Sequence, residues 1–201
     1  QGKVNSFYSD DFAISFGEYS KLNGRLDIEG LPNINETIFD IDLDDSFLKA
    51  TDLRQFINDR TFKISNKLGL VKLNGQYDGL INDFVADGEF RTALGYVKPN
   101  VQITLPESKL ASYSGRLELQ DFNVGILTED SVFQKVNLNG SVEGEGFTLE
   151  QANFKLDAKV SKIGILGYEY VDITTNGTFA QSFFSGEIAV DDPNLIFKAT
   201  G

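Results

Sequence analysis

Residues 112–120 read SYSGRLELQ. Tyr113, Leu117 and Leu119 share one side of a period-2 alternation, with Arg116 and Glu118 on the other, which is the pattern of a half-buried strand. Gly115 stands on the apolar side, where a side chain should fill a core. Glycine inside a strand weakens it and marks a bulge, a bend or the close approach of something to the backbone.

The same alternation runs outward from this strip. Phe84, Ala86, Gly88, Phe90 and Leu94 share a face, with Asp83, Asp87, Glu89 and Arg91 opposed. Val101, Ile103 and Leu105 alternate with Gln102 and Thr104; Phe154, Leu156, Ala158 and Val160 alternate with Lys155, Asp157 and Lys159. These are antiparallel strands with one dry and one wet face. Asn23-Gly24, Asp78-Gly79 and Asp191-Asp192-Pro193-Asn194 read as turns. Residues 51–57 predict one short helix over an edge or end of the sheet, with Thr51 as N-cap and Leu53, Phe56 and Ile57 on one side. No low-complexity stretch or linker interrupts the chain, so residues 1–201 read as a single continuous β unit with no internal domain boundary.

Seven glycines recur in one setting. Gly24, Gly75, Gly88, Gly115, Gly140, Gly177 and Gly186 each follow Asn, Asp or Ser, with an apolar or aromatic residue two places on. The intervals are unequal, which excludes a solenoid of identical rungs. Two architectures fit. One is a closed sandwich or barrel whose strands begin just after Asn-Gly turns; the other is a strongly curved sheet with glycines relieving crowding on its concave face. Unbroken alternation through Gly88 and Gly115 suits the second.

Composition narrows function. The net charge of −12 and the lack of clustered Lys and Arg argue against nucleic acid as a partner. No apolar run approaches the roughly 20 residues of a membrane-spanning helix, and the opening QGKVNSFYSDD lacks a signal-peptide layout. Zero Cys and zero His remove thiolate chemistry, the commonest general base and the commonest transition-metal ligand. Asp40-Ile41-Asp42-Leu43-Asp44-Asp45 begins like a calcium loop, but Asp45 stands where Gly is needed and Thr51 where Glu is needed. Ser46-Phe47-Leu48-Lys49 matches S-x-x-K without the partner motifs. Gly144-Glu145-Gly146 lacks the third glycine of a dinucleotide site. With 30 acidic residues, carboxylate pairs are inevitable and carry no message. The expectation is no catalytic residue, no metal and no cofactor.

The phrases LPNINETIFDIDL, LNGQYDGLINDFVADGEFRTALG, YSGRLELQDFNVG, GEGFTLEQANFKLDAKV and LGYEYVDITTNGTF…SGEIAVDDPNLIF, in that order, resemble the TamB group of AsmA-like envelope proteins in its Bacteroidota form. The likeness runs from about Val4 to the C-terminus and rests on the order of the phrases, since no one motif is diagnostic. It implies an elongated, strongly curved antiparallel sheet forming an open apolar groove, a β-taco. It implies an internal segment of a periplasmic, inner-membrane-anchored protein that conducts phospholipid and supports outer-membrane assembly. A TamA-type outer-membrane barrel would be met through regions outside this segment, and the segment itself is expected to be monomeric.

On that reading phospholipid acyl chains are the guests. The expected groove-lining residues are Leu73, Tyr77, Phe84, Phe90, Leu94, Val101, Ile103, Leu105, Tyr113, Leu117, Leu119, Leu138, Val142, Phe154, Leu156, Val160, Phe179 and Ile188, each on the uncharged side of an alternating strand. Some fifteen strands at about 4.8 Å would span roughly 70 Å. The rivals are a chaperone-like groove for unfolded outer-membrane strands and a closed β-sandwich binding module.

Overall fold

The computed structural model describes residues 5–55, 57, 59–106, 109–146, 151–180 and 183–201. Twelve strands follow in chain order: β1 Ser6–Phe16, β2 Ser20–Glu29, β3 Ile38–Lys49, β4 Leu70–Leu80, β5 Asp83–Thr92 and β6 Gly95–Thr104. Then come β7 Ser112–Asn123, β8 Phe133–Glu145, β9 Asn153–Ile165, β10 Tyr168–Ala180, β11 Phe183–Asp192 and β12 Leu195–Thr200. They form one antiparallel sheet in the order β1 to β12, so every strand pairs only with its neighbours in sequence. β1 and β12 each pair on one side, and the sheet is open and curled. The antiparallel strands expected from the alternation are present, and of the two architectures that fitted it the sheet takes the open, curved one that the resemblance implied.

Among the described residues twelve strands stand where some fifteen were expected, and the reason is length. All but β12 run 10 to 13 residues. The stacking dimension is then roughly 53 Å for eleven spacings. The glycines account for the longer strands: Gly24 and Gly79, read above as turn residues, lie inside β2 and β4, and the other six of the recurrent set also sit within strands. The turn at Asp191-Asp192-Pro193-Asn194 is in place between β11 and β12.

The helical content differs in number and place. Residues 51–57 do not make the predicted helix: a 3-10 turn at Ala50–Leu53 begins after Lys49, so Thr51 is not its cap. Phe56, on the predicted face, lies outside the described residues. The tighter turn carries the Asp52 carboxylate to the β1–β2 connection, where it accepts from the backbone N–H of Glu18 (3.1 Å) and Tyr19 (2.8 Å) and from the Ser20 hydroxyl (2.8 Å). Two α-helices follow, α1 at Asp59–Lys67 and α2 at Val124–Thr128. The Asn123 side chain caps α2 by accepting from Ile126 N–H (3.0 Å), and Glu129 ends it in a left-handed conformation.

A small closed core forms at the margin where α2 lies. Leu94, Phe122, Val136, Val160, Ile173 and Val190 are buried together, and Leu68 with Val124 and Leu127 of α2 pack on them. Away from this margin the same face is uncovered. The total accessible surface is 12589 Å², against about 9,400 Å² for a compact monomer of this mass. An excess of a third belongs to an open sheet rather than a sandwich.

Candidate functional site

The register aligns the inward side chains into rows that cross the sheet. Nearest the margin opposite α2, here the loop margin, runs Phe7, Ile28, Phe39, Gly79, Phe84, Ile103, Tyr113, Gly144, Phe154, Phe179 and Phe184. The next row is Leu26, Ile41, Tyr77, Ala86, Val101, Gly115, Val142, Leu156, Gly177 and Gly186. A third row holds Gly24, Leu43, Gly75 and Gly88, continuing past Pro99 to Leu117, Gly140, Ala158, Thr175, Ile188 and Ala199. A fourth, towards α2, holds Leu73, Phe90, Val97, Leu119, Leu138, Val160, Ile173, Val190 and Phe197. No charged residue stands in any of the four.

All the expected groove residues but two fall in these rows. Leu94 lies in the β5–β6 turn, packed into the closed core, and Leu105 lies beyond the end of β6, exposed, with its N–H donated to Asn82 O (2.7 Å). The others divide by access. Leu73 and Val160 are buried, and Leu119, Leu138 and Ile188 pack partly on the closed core. Tyr77, Phe84, Phe90, Val101, Ile103, Tyr113, Leu117, Val142, Phe154, Leu156 and Phe179 are half-buried. Eight of the expected residues, Val101, Ile103, Tyr113, Leu117, Leu138, Val142, Phe154 and Leu156, line one concavity of about 420 Å³. Its remaining wall is Pro99, which alternation had not placed.

The gap at Gly115 has a cause in the backbone. Its φ is +149°, and a Cβ there would lie 2.2 Å from Asn100 O and 2.7 Å from Val101 Cα on the adjoining strand. No side chain fits because β6 is too close. All seven recurrent glycines fall in the second and third rows, where Gly75 faces Gly88 and Gly177 faces Gly186. Backbones close up along that band, as a curled sheet requires.

The row at the loop margin is largely aromatic. Tyr77 stacks on Phe84 at 4.5 Å between ring centroids, Phe154 on Phe179 at 5.2 Å, and Phe179 meets Phe184 at 4.9 Å. Burial pushes the Tyr77 hydroxyl up to about 12, and it donates to Leu80 O (2.8 Å). Burial also raises Tyr113, which donates to Gly146 O (3.3 Å). Thr175 Oγ1 is the one buried side-chain polar atom without a hydrogen-bond partner among the described residues.

The other face is polar. The calcium-like stretch is part of β3, where Asp40 and Asp42 hold Arg25 at 2.9 and 2.7 Å. A polar hollow of about 550 Å³ lies at the loop margin, lined by Gln102, Thr104, Ser112, Ser114, Glu143, Glu145, Asn153, Lys155 and Thr178 with Tyr113, Gly144 and Phe154. Among the described residues no group of His, Cys, Asp or Glu is arranged to hold a metal, and no helix is long and apolar enough to cross a membrane. No protein-family model matches the chain, and searches of curated proteins and of solved structures return no match.

Proposed function

We propose that this chain is a non-catalytic length of β-groove that carries phospholipid acyl chains. On this reading it belongs to an inner-membrane-anchored periplasmic protein that supplies the outer membrane, as its phrases shared with the TamB group suggest. The supporting observation is the uncovered, charge-free face with its apolar concavity. An acyl chain asks for continuous apolar wall and no donor or acceptor. At about 0.8 kcal/mol per CH₂, two 16-carbon chains cost roughly 25 kcal/mol to strand in water, and an apolar trough removes most of that barrier.

Leu117→Arg tests the reading. Leu117 is half-buried on the wall of the concavity, so a guanidinium there can reach water. The variant should stay folded by circular dichroism and photocrosslink less lipid, while Glu118→Arg on the other face changes neither. A folded Leu117→Arg with undiminished lipid capture would sink the conduit. If the native chain instead captures no lipid but keeps an outer-membrane polypeptide from aggregating, the chaperone reading replaces it.

A further inference from the structure

We propose that the polar face carries a docking surface for an anionic phospholipid bilayer, built on a row of cations and rings that crosses β2 to β6 near the α2 margin. This surface lies on the side of the sheet away from the apolar concavity and is independent of the acyl-groove reading. The register sets Lys21 opposite Phe47, Phe47 opposite Lys72, Lys72 opposite Arg91 and Arg91 opposite Tyr96. Lys72 and Arg91 are chain neighbours of Leu73 and Phe90 in the fourth apolar row, so strand alternation turns them to the opposite face. Lys21, Lys72 and Arg91 are exposed, and the two rings are half-buried.

Like charges directly opposite each other destabilise a ladder, yet Lys72 faces Arg91 with no acid in the row to offset them. Each leans over a ring instead: Lys72 Nζ lies 5.5 Å from the centre of Phe47, and the Arg91 guanidinium 5.4 Å from that of Tyr96. Lys49 adds a fourth cation nearer the margin, 3.5 Å over Tyr19. Among the described residues none of Lys21, Lys49, Lys72 and Arg91 is in an ion pair. Of the carboxylates nearby, Glu89 is held by Lys98 (3.2 Å), while Glu18 beside Tyr19 and Asp44 and Asp45 in the β3 bulge remain against the four. Lys21 and Arg91 stand three strand spacings apart, roughly 14 Å, which is too far for one phosphate, and neither the concavity nor the polar hollow reaches them. A plane of lipid phosphates matches such a row, and rings set between cations suit the headgroup level of a bilayer. The acids that dominate the net charge of −12 do not crowd this plane. The last paired row of the loop margin, at the far end of the strands, holds Glu29, Asp83 and Glu145 with no Lys or Arg.

The purified chain is sedimented with vesicles of phosphatidylglycerol and phosphatidylcholine in equal parts, and with vesicles of phosphatidylcholine alone. The first should carry it down at low salt and release it at about 1 M salt, where screening acts within about 3 Å; the second should not hold it. Lys72→Gln combined with Arg91→Gln should weaken capture by about fivefold for each cation removed. Lys159→Gln with Lys198→Gln, the same charge change further along the polar face, should weaken it far less, all variants folded by circular dichroism. The chain has no tryptophan, so Phe47→Trp places a single reporter on the row, and its emission should move to shorter wavelength on the anionic vesicles. Equal capture by phosphatidylcholine alone would mean that the apolar face meets the bilayer, and equal losses in the two double variants would mean that the charge acts at no particular place. Either result overturns the proposal, as does an unshifted reporter on vesicles that hold the chain. Capture by neither vesicle overturns it too, and binding of soluble polyglutamate in that case assigns the row to an acidic polypeptide.

Discussion

At Gly115 a Cβ would stand 2.2 Å from a neighbouring carbonyl oxygen, at a φ of +149° that L-residues rarely adopt. Gly115→Ala must part β6 from β7 or twist the strand, and we expect a loss of about 2–4 kcal/mol in urea unfolding; an unchanged midpoint would mean the strands separate freely. Tyr77 gives a pH signature. Its folded-state value of about 12 lies above the roughly 10 of an unfolded tyrosine. Its contribution is therefore complete below pH 10 and lost as pH rises towards 12, because the unfolded chain releases the proton first. Tyr77→Phe should lose less stability than the native chain between pH 9.5 and 11.5; parallel curves would show that the hydroxyl is not shielded. Residue by residue, the alternation identified the apolar face but missed its limits. Pro99 lines the concavity where the β5–β6 ladder is interrupted between Asp87–Asn100 and Phe90–Val97, a place where a residue without an N–H is tolerated. Leu105 keeps the right parity yet has no strand left to place it.

The elements outside the sheet were the least legible. Asn-Gly and Asp-Gly look alike in a hairpin turn and in a crowded strand, so local chemistry could not separate Gly24 and Gly79 from true turn residues. The five residues of α2 are as apolar as a strand, and the Asn123 cap together with their docking on the core holds them helical. The same docking joins distant parts of the chain. Lys63 and Lys67 of α1 both reach Glu129 at the end of α2, each at 3.0 Å, and Lys67 also donates to Leu127 O (2.8 Å). These lysines hold the Glu129 carboxyl below its ordinary range. The clasp is therefore intact above the unfolded carboxyl value and is released as pH falls through the lowered one. Glu129→Gln should raise amide exchange in α1 at neutral pH, as acid should in the native chain. Equal α1 exchange in native and variant chains would show that apolar packing alone fastens α1.

The whole molecule has the surface of an open sheet. A plate of roughly 53 by 37 Å has a radius of gyration near 19 Å, whereas a compact 201-residue globule has about 16–17 Å. Small-angle scattering should return the larger value, and the smaller one would mean the sheet closes on itself in solution. The open shape was foreseeable from the glycine recurrence only as one of two choices, because curvature depends on register and no single strand encodes its register. The strand order has a consequence for how the molecule assembles. Each strand finds its partner next door in sequence, so no long loop has to close before hydrogen bonds repay it. Such a sheet can grow like a zipper from any hairpin that forms first, and its stability is nearly a sum of neighbour terms. It should fray inward from β1 and β12 under denaturant, losing strands in turn, where a sandwich of equal size would hold and then fail all at once.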